Sequence, residues 1–325
     1  MKRVIIIADG MADIPMHRLG GLTPLEAAHT PYMDAMATTG RTGRVLTVPP
    51  ERHPGSETAI LSILGYPSGS LPQGRGPLEA LGLGRRLRPS EYAMRFTPAS
   101  PGAIDFPGLR RAFPEVEFLR IRDDAGVAIA PVPDTVLNGR HADVTFWSCG
   151  MAEDYTPLSR LHKSLGLHTG RTVIIGATPL LRGIASAVGA DWLQPPGATG
   201  DLATDYRAKG HHACRALRDY DTVILHIEAC DCASHLQDSR AKIKAIENID
   251  LHIAGPLFDC ARREEAVIAV LPDHLSLCST GAHAQGKVPV AIHDPRVRGV
   301  HSACFSEREA AKGDIKEIID LWKNE

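Results

Sequence analysis

The chain has 325 residues, of which 43% are hydrophobic and only 5% aromatic, so it can fill an aliphatic core in one large or two ordinary domains. Its formal net charge of -2 provides no positive surface for nucleic acid or an anionic membrane, and its apolar runs are shorter than the roughly 20 residues of a membrane span. Seven cysteines, an odd number without a CxxC pair, favour reduced thiols in a cytoplasmic protein. A homo-oligomer is compatible with this composition.

The first predicted strand ends at an acidic residue. The run Val4-Ile5-Ile6-Ile7-Ala8 is short and uninterrupted, as in a strand buried on both faces, and Asp9-Gly10 follows it directly. This aspartate is therefore a carboxylate at a strand end, although Asp-Gly is also an ordinary turn pair. The Thr-Pro pair at residues 30–31 then predicts a helix that ends near Gly40.

A serine stands at the start of a short apolar helix. The run 60–64 and the stop signal Gly65 predict the helix, and Ser56 lies at or beside its N-terminus. One interpretation is an ordinary N-cap. The other is a nucleophile, since a phosphoryl group on this serine would face free backbone N–H groups and the positive end of the helix dipole. No Ser-His-Asp signature is obvious, so a metal is the better candidate for activating the hydroxyl.

The region from Arg75 to Gly170 differs in composition from the rest of the chain, because it is rich in Pro and Arg and has only short strand-like runs. We interpret residues 75–170 as an inserted smaller domain, which leaves 1–74 and 171–325 as a discontinuous main domain. Arg75 lies in a Gly-Arg-Gly-Pro segment, where its guanidinium could clamp a phosphate or a carboxylate. The alternative for this arginine is a solvated surface charge.

Regular alternation of strands and helices resumes with a strand at residues 171–176 and a helix that begins near Pro179. Such alternation predicts a mostly parallel sheet with helices packed on it. The segment 202–217 is a further predicted helix and carries Lys209. This lysine is a second candidate for binding an anionic substrate, with a surface charge as the alternative.

An aspartate and a histidine four residues apart follow the predicted strand 222–228. The spacing places Asp231 and His235 on one face of a helical turn, so both can reach a single ion. A surface Asp-His contact is the plainer alternative. The flanking Cys230 and Cys232 form a C-x-C pair without a second pair, which matches no structural zinc spacing.

The run 267–271 is a short apolar strand followed by a proline and then by Asp273 and His274. Open α/β sheets hold ligands at the carboxyl ends of central strands, so this pair is a candidate for metal binding. A turn aspartate and a surface histidine are the alternative. His283 is one more donor near the same edge, and the run 288–292, which contains a proline, predicts an edge strand.

These motifs occur in one order, and together they resemble the cofactor-independent phosphoglycerate mutases of the archaeal type, in the alkaline phosphatase superfamily. The matching segments are Asp9-Gly10, TPLEAA and TPYMD within 23–34, PGSETA at 54–59, GRGPLEALG at 74–82, PGATG at 196–200, Asp231-x-x-x-His235, Asp273-His274 and His283. The resemblance covers roughly residues 1–82 and 171–295. It implies an α/β fold in which helices sandwich a mostly parallel sheet, as in alkaline phosphatase, with a smaller inserted α+β domain that serves as substrate-binding lid and is shortened here.

Carried over residue by residue, the resemblance implies a site for two divalent metal ions. One ion would be held by Asp231, His235 and His283, and the other by Asp9, Ser56, Asp273 and His274. Oxygen and imidazole donors without thiolate suit manganese or zinc best, with cobalt and magnesium as further candidates.

The implied function is metal-dependent transfer of a phosphoryl group through a phosphoserine at Ser56, on a small phosphorylated substrate. Interconversion of 3-phosphoglycerate and 2-phosphoglycerate is the first choice. A phosphatase, or another phosphotransferase acting on a hydroxy acid, is the first alternative because the insertion is short. The second is a non-catalytic metal-binding regulator on the same fold, against which the retained serine argues.

Overall fold

The computed structural model describes residues 1–141, 143–155, 158, 170–297, 299 and 302–315. The chain divides into two compact units. The first comprises Met1–Ser68, Gly166–Ala177 and Asp191–Glu325, and the second Gly69–Leu165 and Thr178–Ala190. Within the described ranges, no helix has both the length and the apolar character that crossing a bilayer requires. All seven cysteines fall in those ranges, and all are free thiols.

The described strands, in chain order, are β1 (Arg3–Ala8), β2 (Arg41–Leu46), β3 (Tyr92–Pro98), β4 (Glu117–Arg122), β5 (Ala125–Ala130), β6 (Val144–Met151), β7 (Thr172–Ile175), β8 (Asp191–Leu193), β9 (Thr222–Ile227), β10 (Val267–Leu271), β11 (Leu275–Leu277), β12 (Ala282–Ala284) and β13 (Lys287–His293). The described α-helices are α1 (Pro24–Ala27), α2 (Pro31–Thr39), α3 (Ser56–Ile63), α4 (Gly76–Gly82), α5 (Phe106–Ala112), α6 (Asp134–Leu137), α7 (Pro179–Val188), α8 (Tyr206–Asp219), α9 (Ala229–His235), α10 (Ser239–Ile249), α11 (Gly255–Arg263) and α12 (Glu307–Ala310). A π-helical turn, Asp250–Ala254, joins α10 to α11.

The first unit is built on a seven-stranded sheet in the order β2-β13-β10-β1-β9-β7-β8. The strands β10, β1, β9, β7 and β8 run parallel, and β13 runs antiparallel to both of its neighbours. In the centre of the sheet, Ile6 of β1 lies opposite Val270 of β10 and Leu225 of β9. The predicted fold class, a mostly parallel α/β sheet flanked by helices, is confirmed.

The central strands are apolar along their length because both faces of the sheet are covered. In β1, Val4 and Ile6 belong to the main core cluster, which also contains apolar side chains of α2, α8, α10 and α11. The intervening Ile5 and Ile7 on the opposite face are buried as well. Burial of every position, and not alternation, is what an uninterrupted apolar run indicates.

The prediction that residues 288–292 form an edge strand is wrong. Strand β13 lies inside the sheet, between β10 and β2, and β2 occupies the edge. Pro289 is tolerated because β13 pairs with β10 only through residues 291–293, so the position without an N–H group lies outside that ladder.

The second unit contains a four-stranded antiparallel sheet in the order β4-β5-β3-β6. Its core is aromatic, unlike the aliphatic core of the first unit, and five of the seven phenylalanines of the chain lie in it. Phe96 contacts Phe118 edge-to-face in this cluster, with ring centroids 5.3 Å apart. The smaller α+β unit of the predicted fold class is therefore present.

The two units do not follow the predicted division at residues 75 and 170. Helix α7 belongs to the second unit, where it packs closely on α4. At their crossing, a Cβ atom on Gly82 would overlap the carbonyl oxygen of Pro179, and one on Gly183 would overlap that of Leu78. Glycine at both positions lets the helix backbones touch. Part of the expected insertion, residues 142, 156–157 and 159–169, lies outside the described residues.

Candidate metal centre

The three central parallel strands of the first unit each lead into predicted site residues. Asp9 directly follows β1, Asp273 and His274 follow β10, and Asp231 lies in α9, which begins just after β9. Because β10, β1 and β9 are neighbours and parallel, their carboxyl ends meet at one edge of the sheet. His283 reaches this edge from β12.

One group of donors consists of Asp231, His235 and His283. The Nε2 atom of His235 lies 3.0 Å from Asp231 Oδ2, and the Nε2 atom of His283 lies 3.1 Å from Asp231 Oδ1. The opposite ring nitrogens face backbone carbonyls, His235 Nδ1 that of Gly281 at 2.8 Å and His283 Nδ1 that of Pro54 at 3.1 Å. A histidine that donates from Nδ1 to a carbonyl directs the lone pair of Nε2 into the site, which is the usual arrangement of a metal ligand.

The second group consists of Asp9, Asp273, His274 and Ser56. The Nε2 atom of His274 lies 3.2 Å from Asp273 Oδ2, 3.6 Å from Asp9 Oδ1 and 3.4 Å from Ser56 Oγ. Asp273 is held by the backbone N–H groups of His274 and Gly10, which both donate to its Oδ1. All four side chains are buried.

Ser56 is the first residue of α3, and Gly55 is the N-cap. The interpretation of this serine as an ordinary N-cap is therefore wrong. Its Oγ instead points to His274, at a helix end where unpaired N–H groups favour an anion.

The charges of these groups fit a bound cation. Burial, together with the neighbouring Asp273 and Asp231, raises the pKa of Asp9 well above its usual range. Burial also acts on Asp231, but hydrogen bonds from His235 and His283 hold its pKa well below the usual range. Two buried carboxylate oxygens, Asp9 Oδ1 and Asp273 Oδ2, have no hydrogen-bond partner among the residues that the structure describes. Buried orphan carboxylate oxygens beside imidazole nitrogens are the donor set of a divalent metal ion.

A further histidine and glutamate, which the sequence analysis did not select, extend this cluster. His226 in β9 places Nε2 3.5 Å from Asp9 Oδ2 and Nδ1 3.3 Å from Glu228 Oε1. The local feature that could have marked them is a histidine inside an apolar strand run with an acidic residue two positions later. The sequence pattern assigns these residues only to a strand, so it predicts no role for their side chains.

Lys209 is fully buried beside this glutamate, and its interpretation as a surface charge is wrong. Its Nζ donates to Glu228 Oε2 at 3.1 Å, to the carbonyl of His226 at 3.1 Å and to that of Thr199 at 3.3 Å. Three protein oxygens thus satisfy the three N–H groups of the ammonium. Burial would raise the pKa of Glu228, but the neighbouring Lys209 and His226 lower it to about 2.

Arg75 lies in the second unit, at the start of α4. Its Nε donates to Glu79 Oε1 at 3.1 Å, and its guanidinium carbon lies 5.8 Å from the ring centroid of Trp147. The same glutamate is also paired with Arg95. The Arg75 side chain remains 22% exposed.

Comparison with known proteins identifies the class. The chain matches the model of the Metalloenzyme superfamily over residues 1–320. The 2,3-bisphosphoglycerate-independent phosphoglycerate mutase of Ignicoccus hospitalis is 30% identical to it, over 100% of this chain and 97% of the relative. The PH0037 protein from Pyrococcus horikoshii superposes with a TM-score of 0.83 at 30% identity, covering 98% of this chain and 97% of that one. The cofactor-independent phosphoglycerate mutase from Thermoplasma acidophilum shares the fold, with a TM-score of 0.66 at 21% identity and coverage of 97% and 96%.

The fold, the donor cluster and the family model define a metalloenzyme. Within that class, the chain belongs to the family of 2,3-bisphosphoglycerate-independent phosphoglycerate mutases, and the resemblance noted in the sequence is confirmed. The alignment with the Ignicoccus relative runs over 406 positions, whereas this chain has 325 residues. The relative thus has residues at many positions where this chain has none.

Proposed function

We propose that this protein interconverts 3-phosphoglycerate and 2-phosphoglycerate by metal-dependent phosphoryl transfer, with Ser56 as the residue that carries the phosphoryl group. The observation that carries the proposal is the position of the Ser56 hydroxyl. It is buried and lies 3.4 Å from His274 Nε2 within a cluster of carboxylates and imidazoles. Family membership supports the choice of substrate.

In this proposal two divalent ions are held by separate sets of ligands. Asp231, His235 and His283 hold one, and the other is held by Asp9, Ser56, Asp273 and His274. Manganese or zinc is the first choice, and cobalt or magnesium is also compatible with these donors. When bound, such ions lower the pKa of a coordinated hydroxyl and neutralise charge on a transferring phosphoryl group.

The residues of the chain do the remaining work. Ser56 accepts the phosphoryl group from one hydroxyl of the glycerate and returns it to the other. Because Ser56 is the first residue of α3, the N–H groups of the first helical turn and the positive end of the helix dipole favour the added phosphate charge. Ser56 is also buried, which limits attack by water on the phosphoserine.

The test is a phosphoprotein trap combined with metal removal. The protein is incubated with phosphoglycerate that carries a labelled phosphoryl group, and the modified residue is identified by peptide mapping. We expect label on Ser56, none in the Ser56→Ala variant, and unchanged labelling in Ser62→Ala, which alters a buried serine of the same helix. A chelator should abolish turnover, and manganese or zinc should restore it. Turnover by a protein with confirmed absence of metal would refute the proposal.

One alternative activity has its own support. The chain is shorter than its relative from Ignicoccus, and a shorter chain has fewer residues with which to exclude water during transfer. Hydrolysis of the phosphoserine would make the protein a phosphatase with the same metal site. A non-catalytic regulator has no use for a buried serine hydroxyl beside the predicted metal ligands.

A further inference from the structure

Ser276 is a buried residue of β11 whose hydroxyl lies between the two groups of donors. Its Oγ donates to Asp231 Oδ1 at 2.6 Å and lies 3.1 Å from the Nδ1 atom of His274. Asp231 belongs to one predicted ion site and His274 to the other. The residue itself is only 1% exposed and was not part of any motif in the sequence analysis.

We propose that Ser276 is a positioning residue that couples the two ion sites, so that ligands of both are oriented by one hydroxyl. This inference rests on the two-ion site of the proposed function. A hydroxyl has a single proton, and the short contact assigns that proton to Asp231 Oδ1. The oxygen then accepts from His274, whose proton must lie on Nδ1.

That tautomer has a consequence for the site. With the proton on Nδ1, the Nε2 atom of His274 carries a lone pair, and Nε2 is the atom that faces Asp273 and Ser56. At the same time, the donated hydrogen bond fixes the rotation of the Asp231 carboxylate between His235 and His283. Hydrogen bonds of this kind orient ligands and commonly change metal affinity by 10- to 100-fold, roughly.

The backbone of Ser276 is held by hydrogen bonds at both its N–H and its carbonyl group. Its N–H donates to the carbonyl of Ala12 at 3.1 Å, and its own carbonyl accepts from Lys242 Nζ at 2.7 Å. Lys242 is fully buried and pairs with the fully buried Asp13 at 2.9 Å. Because both backbone groups are bonded, the Cα of Ser276 is fixed at the position from which its hydroxyl reaches the two ligands.

The test compares Ser276→Ala with Ser234→Ala. Ser234 is the matched control, because it is equally buried, lies in α9 between Asp231 and His235, and donates to the carbonyl of Cys230 and not to a ligand. Metal-free proteins are titrated with Mn²⁺ in a calorimeter, and the absorption spectrum of the Co²⁺ form is recorded. We expect both ions to bind about 10- to 100-fold more weakly in Ser276→Ala, with a changed Co²⁺ spectrum, and both to bind normally in the control.

Two results would overturn the coupling: wild-type affinity for both ions in Ser276→Ala, or weakening of one ion alone. If the variant does not fold, the wild-type protein still provides a test. Its histidine side-chain nitrogens can be observed by NMR, and a His274→Gln variant assigns the signals of His274. A proton on Nε2 of His274 in the metal-free protein would contradict the inference. No substrate is used, so a wild-type protein that binds two ions but does not interconvert phosphoglycerates would refute the proposed function alone.

Discussion

At the scale of single residues, Gly10 illustrates how closely the metal centre is built against the first strand. A Cβ atom at this position would lie 2.7 Å from both the Cα of Asp231 and the Oγ of Ser276. The backbone at Gly10 also has φ +66°, a left-handed conformation that L-residues adopt at a cost. A side chain at this position would therefore displace Asp231, a predicted ligand, and Ser276, which is proposed to orient it.

We predict that Gly10→Ala loses metal affinity as well as stability. The control is Gly20→Ala, because Gly20 has the same φ of +66° but a methyl group there would have no neighbouring atom within 4 Å. The control should lose only the strain of the left-handed conformation, roughly 1–2 kcal/mol of unfolding free energy in urea, and keep normal Mn²⁺ binding. Equal Mn²⁺ binding by the two variants would show that the close approach at Gly10 does not position Asp231.

Lys209 and Glu228 form a buried ion pair that should dominate the effect of mutating either residue. Lys209→Met leaves the glutamate charge buried without its cation, so we expect a loss of about 3–5 kcal/mol in the unfolding free energy of the metal-free protein. The double variant Lys209→Met/Glu228→Gln should recover part of it. Normal stability with a raised KM would instead support the sequence-based prediction that Lys209 binds the substrate.

Arg75 remains a predicted substrate-binding residue. Arg75→Met should raise KM or lower kcat, since its guanidinium would no longer bind an anionic group. The fold of the second unit should be retained, because Glu79 keeps its pairing with Arg95. Arg86→Met, a change at an exposed arginine of the same unit, is the control. Unchanged steady-state kinetics in Arg75→Met would show that another residue binds the anionic group of the substrate.

At the scale of elements, Glu307 connects α12 to the start of α1. Its carboxylate accepts from Thr23 Oγ1 at 2.7 Å, and Thr23 is the N-cap of α1. Burial raises the pKa of Glu307 from 4.5 to about 7, although the hydrogen bond from Thr23 opposes the shift. The folded protein thus binds this proton more tightly than the unfolded chain does.

The sign of the pH effect follows from that difference. The proton on Glu307 contributes stability that is fully present below pH 4.5 and is lost as the pH rises through about 7. We expect the wild type to lose up to about 3 kcal/mol of unfolding free energy relative to Glu307→Gln across this window. Urea denaturation of metal-free proteins measures it, and the control Glu309→Gln in the same helix, which keeps Glu307, should lose stability over this window as the wild type does. Parallel pH profiles for wild type and Glu307→Gln would contradict the raised pKa.

At the scale of the whole molecule, the length of the chain bears on the outcome of the reaction. A mutase must keep water from the phosphoserine until the group returns to the glycerate, and this chain has fewer residues available for that enclosure than its Ignicoccus relative. We therefore predict measurable release of inorganic phosphate alongside interconversion. The assay follows consumption of 3-phosphoglycerate while 2-phosphoglycerate and free phosphate are measured together.

The control for this assay is the Ser56→Ala variant, which should produce neither product. Interconversion without any phosphate release would show that the shorter chain excludes water sufficiently. Phosphate release without 2-phosphoglycerate would identify the protein as a hydrolase that uses the same serine and metal ligands.

The sequence by itself determined the main fold class and the predicted ligands. Apolar runs such as 4–8 and 267–271 are buried on both faces, so each marks a strand and the polar residue after it marks a strand end. Because parallel strands place their carboxyl ends at one edge, Asp9, Asp231 and Asp273 could be expected at one site from the sequence alone. Local pattern was sufficient here because the donors directly follow regular elements.

Only the tertiary structure decided which other side chains complete the site. Lys209 and Glu228 are 19 residues apart, and Ser276 lies 45 residues from Asp231, so no local spacing indicates either contact. The place of β13 inside the sheet likewise depends on β2, which is distant in sequence. Burial of a charge or a hydroxyl is decided by what packs around it, and those neighbours come from other strands and helices. For this reason the predicted ligands of the metal centre were accessible to sequence reasoning, and the residues proposed to orient them were not.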